Sequence, residues 1–245
     1  MRVELLVTPD CPNAQETEQL VRSTVDRLVP DAEIIRTVVR SLAEAEEVAF
    51  PGSPTVRIDG EDLEGPDVGP PAYACRRYEG GVGVPPAWLL EVRILRALRP
   101  RHLLFLCVAN SARSQMGEGI ARSLVSDGVR VSSAGSAPSR VNPFALRALE
   151  EMGIDASTQS SKGIDEIRQV EGPEVDAVIT LCAEEVCPAW LGEAYRLHWP
   201  LPDPAAATGD DEEVLRSFRR VRDELRRRLV AFSGLQGLRR SEVDP

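Results

Sequence analysis

At 245 residues the chain is long enough for one domain or two, and 42% apolar with 28% charged residues is the composition of a globular protein with a sizeable core. A formal net charge of -10 at pH 7 argues against a nucleic-acid partner, while leaving room for a local basic pocket that holds an anion. No apolar run approaches the roughly 20 residues that span a bilayer, and the N-terminus lacks the charged and apolar regions of a signal peptide.

A cytoplasmic protein without a membrane partner is therefore expected. Its cysteines are Cys11, Cys75, Cys107, Cys182 and Cys187. An odd number without an export signal points away from a disulfide framework and toward redox, metal or nucleophilic chemistry.

In chain order, Arg2 to Thr8 reads as a strand that ends at the turn Pro9-Asp10-Cys11-Pro12-Asn13. A helix follows with Leu20, Val21, Val25 and Leu28 on one face, and Pro30-Asp31 breaks it. Next come a strand at Ile34 to Val39, a short Ala- and Glu-rich helix at Ser41 to Val48, the loop Phe50 to Pro54, and the strand Thr55 to Ile58 with its turn Asp59-Gly60. A Pro- and Gly-rich stretch carries Cys75, and a helix from about Trp88 to Leu98 closes this half.

This pattern resembles the thioredoxin-like fold at two places. Thr8 to Ala14 is similar to the family's C-x-x-C loop at the start of the first helix, with Ala14 in place of the second cysteine. Ser53-Pro54-Thr55 is similar to the cis-proline that faces that loop. Cys11 is then a candidate redox thiol and Cys75 a candidate distant resolving partner; a docking module without redox chemistry, with Cys75 as a packed small hydrophobe, is the alternative. The boundary falls at the Pro-containing connector Leu98 to Arg101, giving a thioredoxin-like domain at 1–99 and a second domain at 100–245.

From His102 the pattern is doubly wound α/β. The run Leu103-Leu104-Phe105-Leu106 leads into Cys107, a loop of small residues, and Arg113-Ser114, where helical spacing begins (Met116, Ile120, Ala121, Leu124). Strands are expected at Val129 to Ser133, Ala177 to Leu181 and Arg196 to Trp199, and helices from Val141-Asn142-Pro143 to Gly153 and from Val214 to Leu229. A strand, a loop of small residues and a helix can turn backbone N–H groups inward. With the positive end of the helix and a planar Arg fork they form a cup for a tetrahedral oxyanion. The same field favours a thiolate at Cys107, so the loop offers a binding site and a nucleophile together. The plainer alternative is a buried Cys at the end of a core strand and a surface Arg.

Cys107 to Ser114, Ser133-Ala134-Gly135, Val141-Asn142-Pro143, Cys182 with Cys187-Pro188, His198-Trp199-Pro200 and Asp203-Pro204, taken together and in order, resemble the thioredoxin-coupled arsenate reductases. That family shares the three-layer α/β/α parallel-sheet fold of the low-molecular-weight protein tyrosine phosphatases. The resemblance implies that Cys107 attacks arsenate held by Arg113, Ser111, Ser114 and the loop amides. It further implies that Asn110 braces the loop and that Asp203 is the general acid. Cys182 and then Cys187 would carry the oxidising equivalents outward to thioredoxin or a similar dithiol, with no cofactor.

Some relatives hold a potassium ion with Asn, Glu, Ser and Asp. Asn110, Glu118 and Ser133 match, but Lys162 stands at the Asp position, and its ammonium is expected to replace the cation, so no metal is expected. Two other readings of the same residues are a phosphatase whose nucleophile is protected by reversible disulfide formation and a thiol-based arsenite or mercury binder.

Overall fold

The computed structural model describes residues 1–125, 128–170, 174–183, 188–190 and 192–233. They form two compact units, one of residues 1–98 and one that starts at Arg99. No helix among the described residues is long and apolar enough to cross a membrane.

The first unit runs β1 (Arg2–Val7), α1 (Ala14–Leu28), β2 (Glu33–Val38), α2 (Leu42–Glu47), β3 (Thr55–Ile58), β4 (Glu61–Asp62) and α3 (Ala87–Leu98). Its sheet is mixed, in the order β2-β1-β3-β4, with β2 parallel and β3 antiparallel to β1. β1 is central and therefore buries Val3, Leu5, Leu6 and Val7 almost completely, whereas β2, at the edge, buries none of its six residues. The two-residue β4 escapes a sequence reading. It exists because Asp59 and Gly60 both adopt positive φ, which closes a tight hairpin between Ile58 and Glu61. The Ser53–Pro54 bond is cis, as the resemblance implied.

Arg76 pins the segment after β4. It is buried and donates to both carboxylate oxygens of Asp62 at 2.6 Å, to Glu64 at 2.8 Å and to Thr55 Oγ1 at 3.1 Å, with its guanidinium 4.5 Å over the Tyr78 ring. Burial pushes the Tyr78 hydroxyl above its ordinary value, so it stays a donor, to the Pro54 carbonyl at 3.0 Å.

The second unit runs β5 (His102–Cys107), α4 (Arg113–Leu124), β6 (Arg130–Gly135), α5 (Pro143–Glu150), α6 (Ile164–Val170), β7 (Ala177–Cys182), β8 (Tyr195–Leu201) and α7 (Asp211–Ser233). All four strands are parallel, in the order β6-β5-β7-β8. Every residue of β5 is buried, which is why its sequence is a continuous apolar run and does not alternate. α4 lies so close over β5 that a Cβ at Gly117 would stand 2.9 Å from the Phe105 ring. α4, α5 and α7 pack on one another, and Ile167 of α6 joins Leu104, Leu106, Val178 and Trp190 in a further cluster.

Several boundaries differ from the sequence expectation: α4 takes in Arg113, β6 extends through Gly135, α5 stops at Glu150, β7 takes in Cys182, and β8 and α7 widen to Tyr195–Leu201 and Asp211–Ser233. α6 is too short for its periodicity to stand out.

Glycine is required at 135, because a Cβ there would sit 2.3 Å from the Val108 carbonyl oxygen and 2.8 Å from the Asn110 amide nitrogen. Gly135→Ala is therefore expected to lower stability in urea unfolding by about 1–3 kcal/mol and to disturb the loop after β5; an unchanged midpoint would contradict this close approach. A second expectation concerns the α5–α7 side. Glu151 accepts from Arg219 at 2.8 and 2.7 Å and from Arg222 at 2.9 Å, and the Arg219 hydrogen bonds, with Arg222 adding to them, hold its carboxyl below its ordinary value. Such a depressed carboxylate contributes fully above the ordinary carboxylate range, and its contribution disappears as pH falls through the depressed value. Unfolding curves for Glu151→Gln and the parent should thus differ at neutral pH and converge in acid; a gap independent of pH would show that the charge is irrelevant.

Candidate active site

The loop between β5 and α4 is built by what its carbonyls do. Val108 O accepts from Ala137 N at 3.0 Å, Ala109 O from Ser139 N at 3.0 Å, Asn110 O from Gln115 Nε2 at 3.1 Å, and Ser111 O from Asn142 N at 2.9 Å. In a planar trans peptide the next N–H points opposite to the carbonyl, so the amides of Ala109 to Ala112 turn together to the inner side of the loop. Among the described residues, none of these four amides donates to a protein group. Ala112 caps α4 without a side-chain acceptor, so the first-turn amides add to the same positive end. The result is a loop with inward-facing amides at a helix N-terminus, the kind of geometry that suits an anion.

Cys107 is buried with a free thiol at the floor of the cup, its Sγ 2.9 Å from Ser114 Oγ. Ser114 also accepts from Asn110 Nδ2 at 2.8 Å, so its hydroxyl is held against the Cys107 sulfur, where either group can donate.

Asn110 is the hub. Its φ of +44° is in the left-handed region, where Asn is among the better tolerated residues. Nδ2 also donates to Ser133 Oγ at 2.8 Å, and Oδ1 accepts from Lys162 N at 2.7 Å and Gln115 Nε2 at 3.0 Å. All of its side-chain capacity is spent inside the protein, so Asn110 braces the loop and leaves its backbone amides as the groups facing inward. Ser111 behaves likewise: its hydroxyl donates to the Arg140 carbonyl at 2.8 Å.

Behind Asn110, Ser133 donates to the buried carboxylate of Glu118. Lys162 Nζ stands 3.4 Å from the same Glu118 oxygen and donates to Ser160 O at 3.0 Å, and Arg122 reaches the other oxygen at 2.5 Å. The fixed positive charges of Lys162 and Arg122 thus face Glu118, and among the described residues no group of three or more His, Cys, Asp or Glu side chains could hold a metal ion. Gln115 and Gln159, both absent from the sequence reading, complete this layer: Gln115 also donates to Ser160 O at 2.8 Å and Gln159 donates to Gln115 O at 3.0 Å. Nothing in the sequence marks Gln115; only its burial on a helix whose residues 113–121 are all buried shows that its amide needs partners.

Arg113 connects the loop to β8. The guanidinium is buried, donates to Leu201 O at 3.1 Å, and stands 3.8 Å from Asp203 Oδ1. Asp203 is about one-third exposed and also accepts from Ala205 N at 3.2 Å, capping the 3-10 turn Pro204–Ala206. Leu201 pairs with Cys182 in the sheet, and Thr180, two residues before Cys182, pairs with Leu106 beside Cys107. Cys107 and Cys182 therefore end adjacent strands at the same sheet edge, both buried, where ligands of open parallel sheets bind. Cys187 lies outside the described residues.

A family model described as low molecular weight phosphotyrosine protein phosphatase matches residues 102–243. Similar proteins include the arsenate reductase of Halalkalibacterium halodurans, 46% identical over 56% of this chain and 97% of that protein. The arsenate reductase of Bacillus subtilis is 43% identical over 54% of this chain and 94% of its own length. The solved arsenate reductase of Archaeoglobus fulgidus is 26% identical, covers 54% of this chain and 98% of its own, and superposes with a TM-score of 0.46. With more than half of its length matched by the model, the chain belongs to the low molecular weight phosphotyrosine protein phosphatase family, and the Halalkalibacterium and Bacillus relatives named above are arsenate reductases.

Proposed function

We propose that the chain reduces arsenate to arsenite through its own thiols, with a thioredoxin-type dithiol as the final reductant. The observation that carries the reading is the second thiol, Cys182, at the end of the strand next to that of Cys107. Hydrolysis of a phosphate ester needs only the cup, Arg113 and an acid, and a second buried thiol could serve it only by protecting the nucleophile, whereas reduction requires that thiol in every turnover. Nor does an aromatic side chain follow Asp203-Pro204 to flank a phenyl ring, since Ala205, Ala206 and Ala207 stand there.

In the proposed sequence, arsenate enters the cup of amides with Arg113, and the Cys107 thiolate attacks arsenic. The As–S bond forms as an As–O bond breaks, and Asp203 protonates the departing oxygen, a role that typically gives roughly 10²–10⁴-fold. The Cys182 thiolate next attacks the Cys107 sulfur. The electron pair of the As–S bond passes to arsenic, which leaves as arsenite, and a Cys107–Cys182 disulfide remains. Cys187 attacks Cys182, releases the Cys107 thiolate, and hands a Cys182–Cys187 disulfide to an external dithiol.

Residues 1–98 are assigned a thioredoxin-like fold, on the order of their strands and helices and the Ser53–Pro54 turn facing the loop after β1. They serve as a docking module for the reductant or as a reductant themselves. The sequence boundary of 1–99 and 100–245 falls within one residue of this division, and the protein acts in the reducing cytoplasm.

Arsenite formation from arsenate with a dithiol reductant is the direct assay. Cys107→Ser is expected to abolish it, and Cys182→Ser to stop arsenite release while leaving arsenate binding intact. Retained arsenite formation in either variant, or efficient hydrolysis of an aryl phosphate with none of arsenate reduced, would overturn the reading. Because Lys162 Nζ faces Glu118, potassium should leave the rate of the parent protein unchanged, and strong activation by potassium would contradict that substitution. Removing this partner with Lys162→Ala should destabilise by no more than roughly 3 kcal/mol, since breaking a buried pair is costly but Arg122 remains on Glu118.

A further inference from the structure

Cys75 lies outside the Cys107–Cys182–Cys187 relay, and the backbone on either side of it is paired with the 52–54 loop. Ser53 N donates to Ala74 O and Arg76 N donates to Ser53 O, each at 2.8 Å, so Cys75 lies directly beside Ser53 in a parallel bridge. The approach is close enough that a Cβ at Gly52 would stand 3.1 Å from Ala74 O and 3.2 Å from Arg76 N. The Arg76–Asp62 pair on one side and the Tyr78–Pro54 hydrogen bond beyond it hold this strand-like segment against the 52–54 loop.

Ser53 is also the contact of the Cys11 turn. Its Oγ accepts from Thr8 N at 2.9 Å, and Cys11 N donates back to Thr8 O at 3.3 Å, which folds the turn so that Cys11 stays near its start. Residues paired in a bridge send their side chains to the same face of the pleat. The Ser53 side chain points at the Cys11 turn, so the Cys75 side chain leaves its backbone on that same side. Asn13, two residues after Cys11, packs on the segment following Cys75: a Cβ at Gly83 would meet its side chain at 2.2 Å. Both thiols are free, Cys75 exposed and Cys11 partly so, which leaves them open to a reagent.

We infer that Cys11 and Cys75 form a reversible dithiol–disulfide pair, in which the segment 74–76 supplies the second thiol that position 14 lacks. The oxidant is a disulfide, of a small thiol or of a protein. One thiolate of the pair attacks it, forming a mixed disulfide and releasing one thiolate; the other then attacks the mixed disulfide at the sulfur of its partner, closing Cys11–Cys75 and releasing the second thiolate. Two electrons pass from the pair to the oxidant. The inference does not rest on the arsenate reading, since it involves neither Cys107 nor arsenic.

The test uses the full chain carrying Cys107→Ser, Cys182→Ser and Cys187→Ser, equilibrated across ratios of reduced to oxidised dithiothreitol, then alkylated and mapped by mass. The expected result is loss of both remaining thiols together, a Cys11–Cys75 peptide, and full return on reduction. Adding Cys11→Ser or Cys75→Ser should leave the other cysteine alkylatable throughout. The same mapping on the unmutated chain, with the folded state checked by near-ultraviolet circular dichroism, separates misfolding of the triple variant from failure of the idea. Two thiols that stay alkylatable under oxidising conditions in a folded protein, or that react independently of each other, would overturn it. Failure of arsenate reduction with the pair intact would instead count against the function proposed above.

Discussion

The cup depends on one residue held in an uncommon backbone conformation. Asn110 turns the chain with positive φ, and four hydrogen bonds to its side chain, from or to Ser114, Ser133, Lys162 and Gln115, fix that turn. Since every loop carbonyl is engaged from outside, the amides have no direction left but inward, and the positive field of the cup is set before any anion arrives. Preorganisation of this kind spares the reaction the cost of orienting dipoles as charge develops. The same Asn110 side chain also positions the Ser114 hydroxyl beside the Cys107 sulfur, so the loop and its thiol share a single support.

The sheet then decides what the cup is used for. In a parallel sheet all strand ends gather at one edge, and β5, β7 and β8 bring Cys107, Cys182 and the Leu201–Asp203 stretch there from positions nearly 100 residues apart in sequence. Arg113 ties the cup to β8 through the Leu201 carbonyl. In the proposed reduction the anion site, the acid and the path for two electrons each come from a different strand end, and the thiol at the end of β7 is what that proposal uses to set reduction apart from ester hydrolysis.

Much of this was legible in the sequence because it is local. The loop residues Cys107 to Ser114 are contiguous, the β5 run is apolar throughout, and the Lys162 exchange is visible from residue type alone. Other features come from packing across long separations and leave no periodic trace. The Gln115–Gln159–Ser160 layer is of this kind, as are the need for glycine at 135, which follows from the Val108 carbonyl opposite it, and the use of the Ser111 hydroxyl on Arg140. β4 and α6 are simply too short for pattern reading. In the first unit the sequence offered Cys75 as a distant resolving partner of Cys11 without placing the two together, and it is the pairing of Ser53 with Cys75 that puts them on one side of one loop.

The central claim is that Cys107 and Cys182 act in succession on one arsenic atom. It is tested most directly by mixing reduced protein carrying Cys187→Ser with arsenate, alkylating the remaining thiols and mapping disulfides by mass. The account predicts one arsenite released per chain and a Cys107–Cys182 disulfide trapped for want of the third thiol. Arsenite released with both cysteines still alkylatable, or no disulfide and no arsenite from a folded protein, would contradict it.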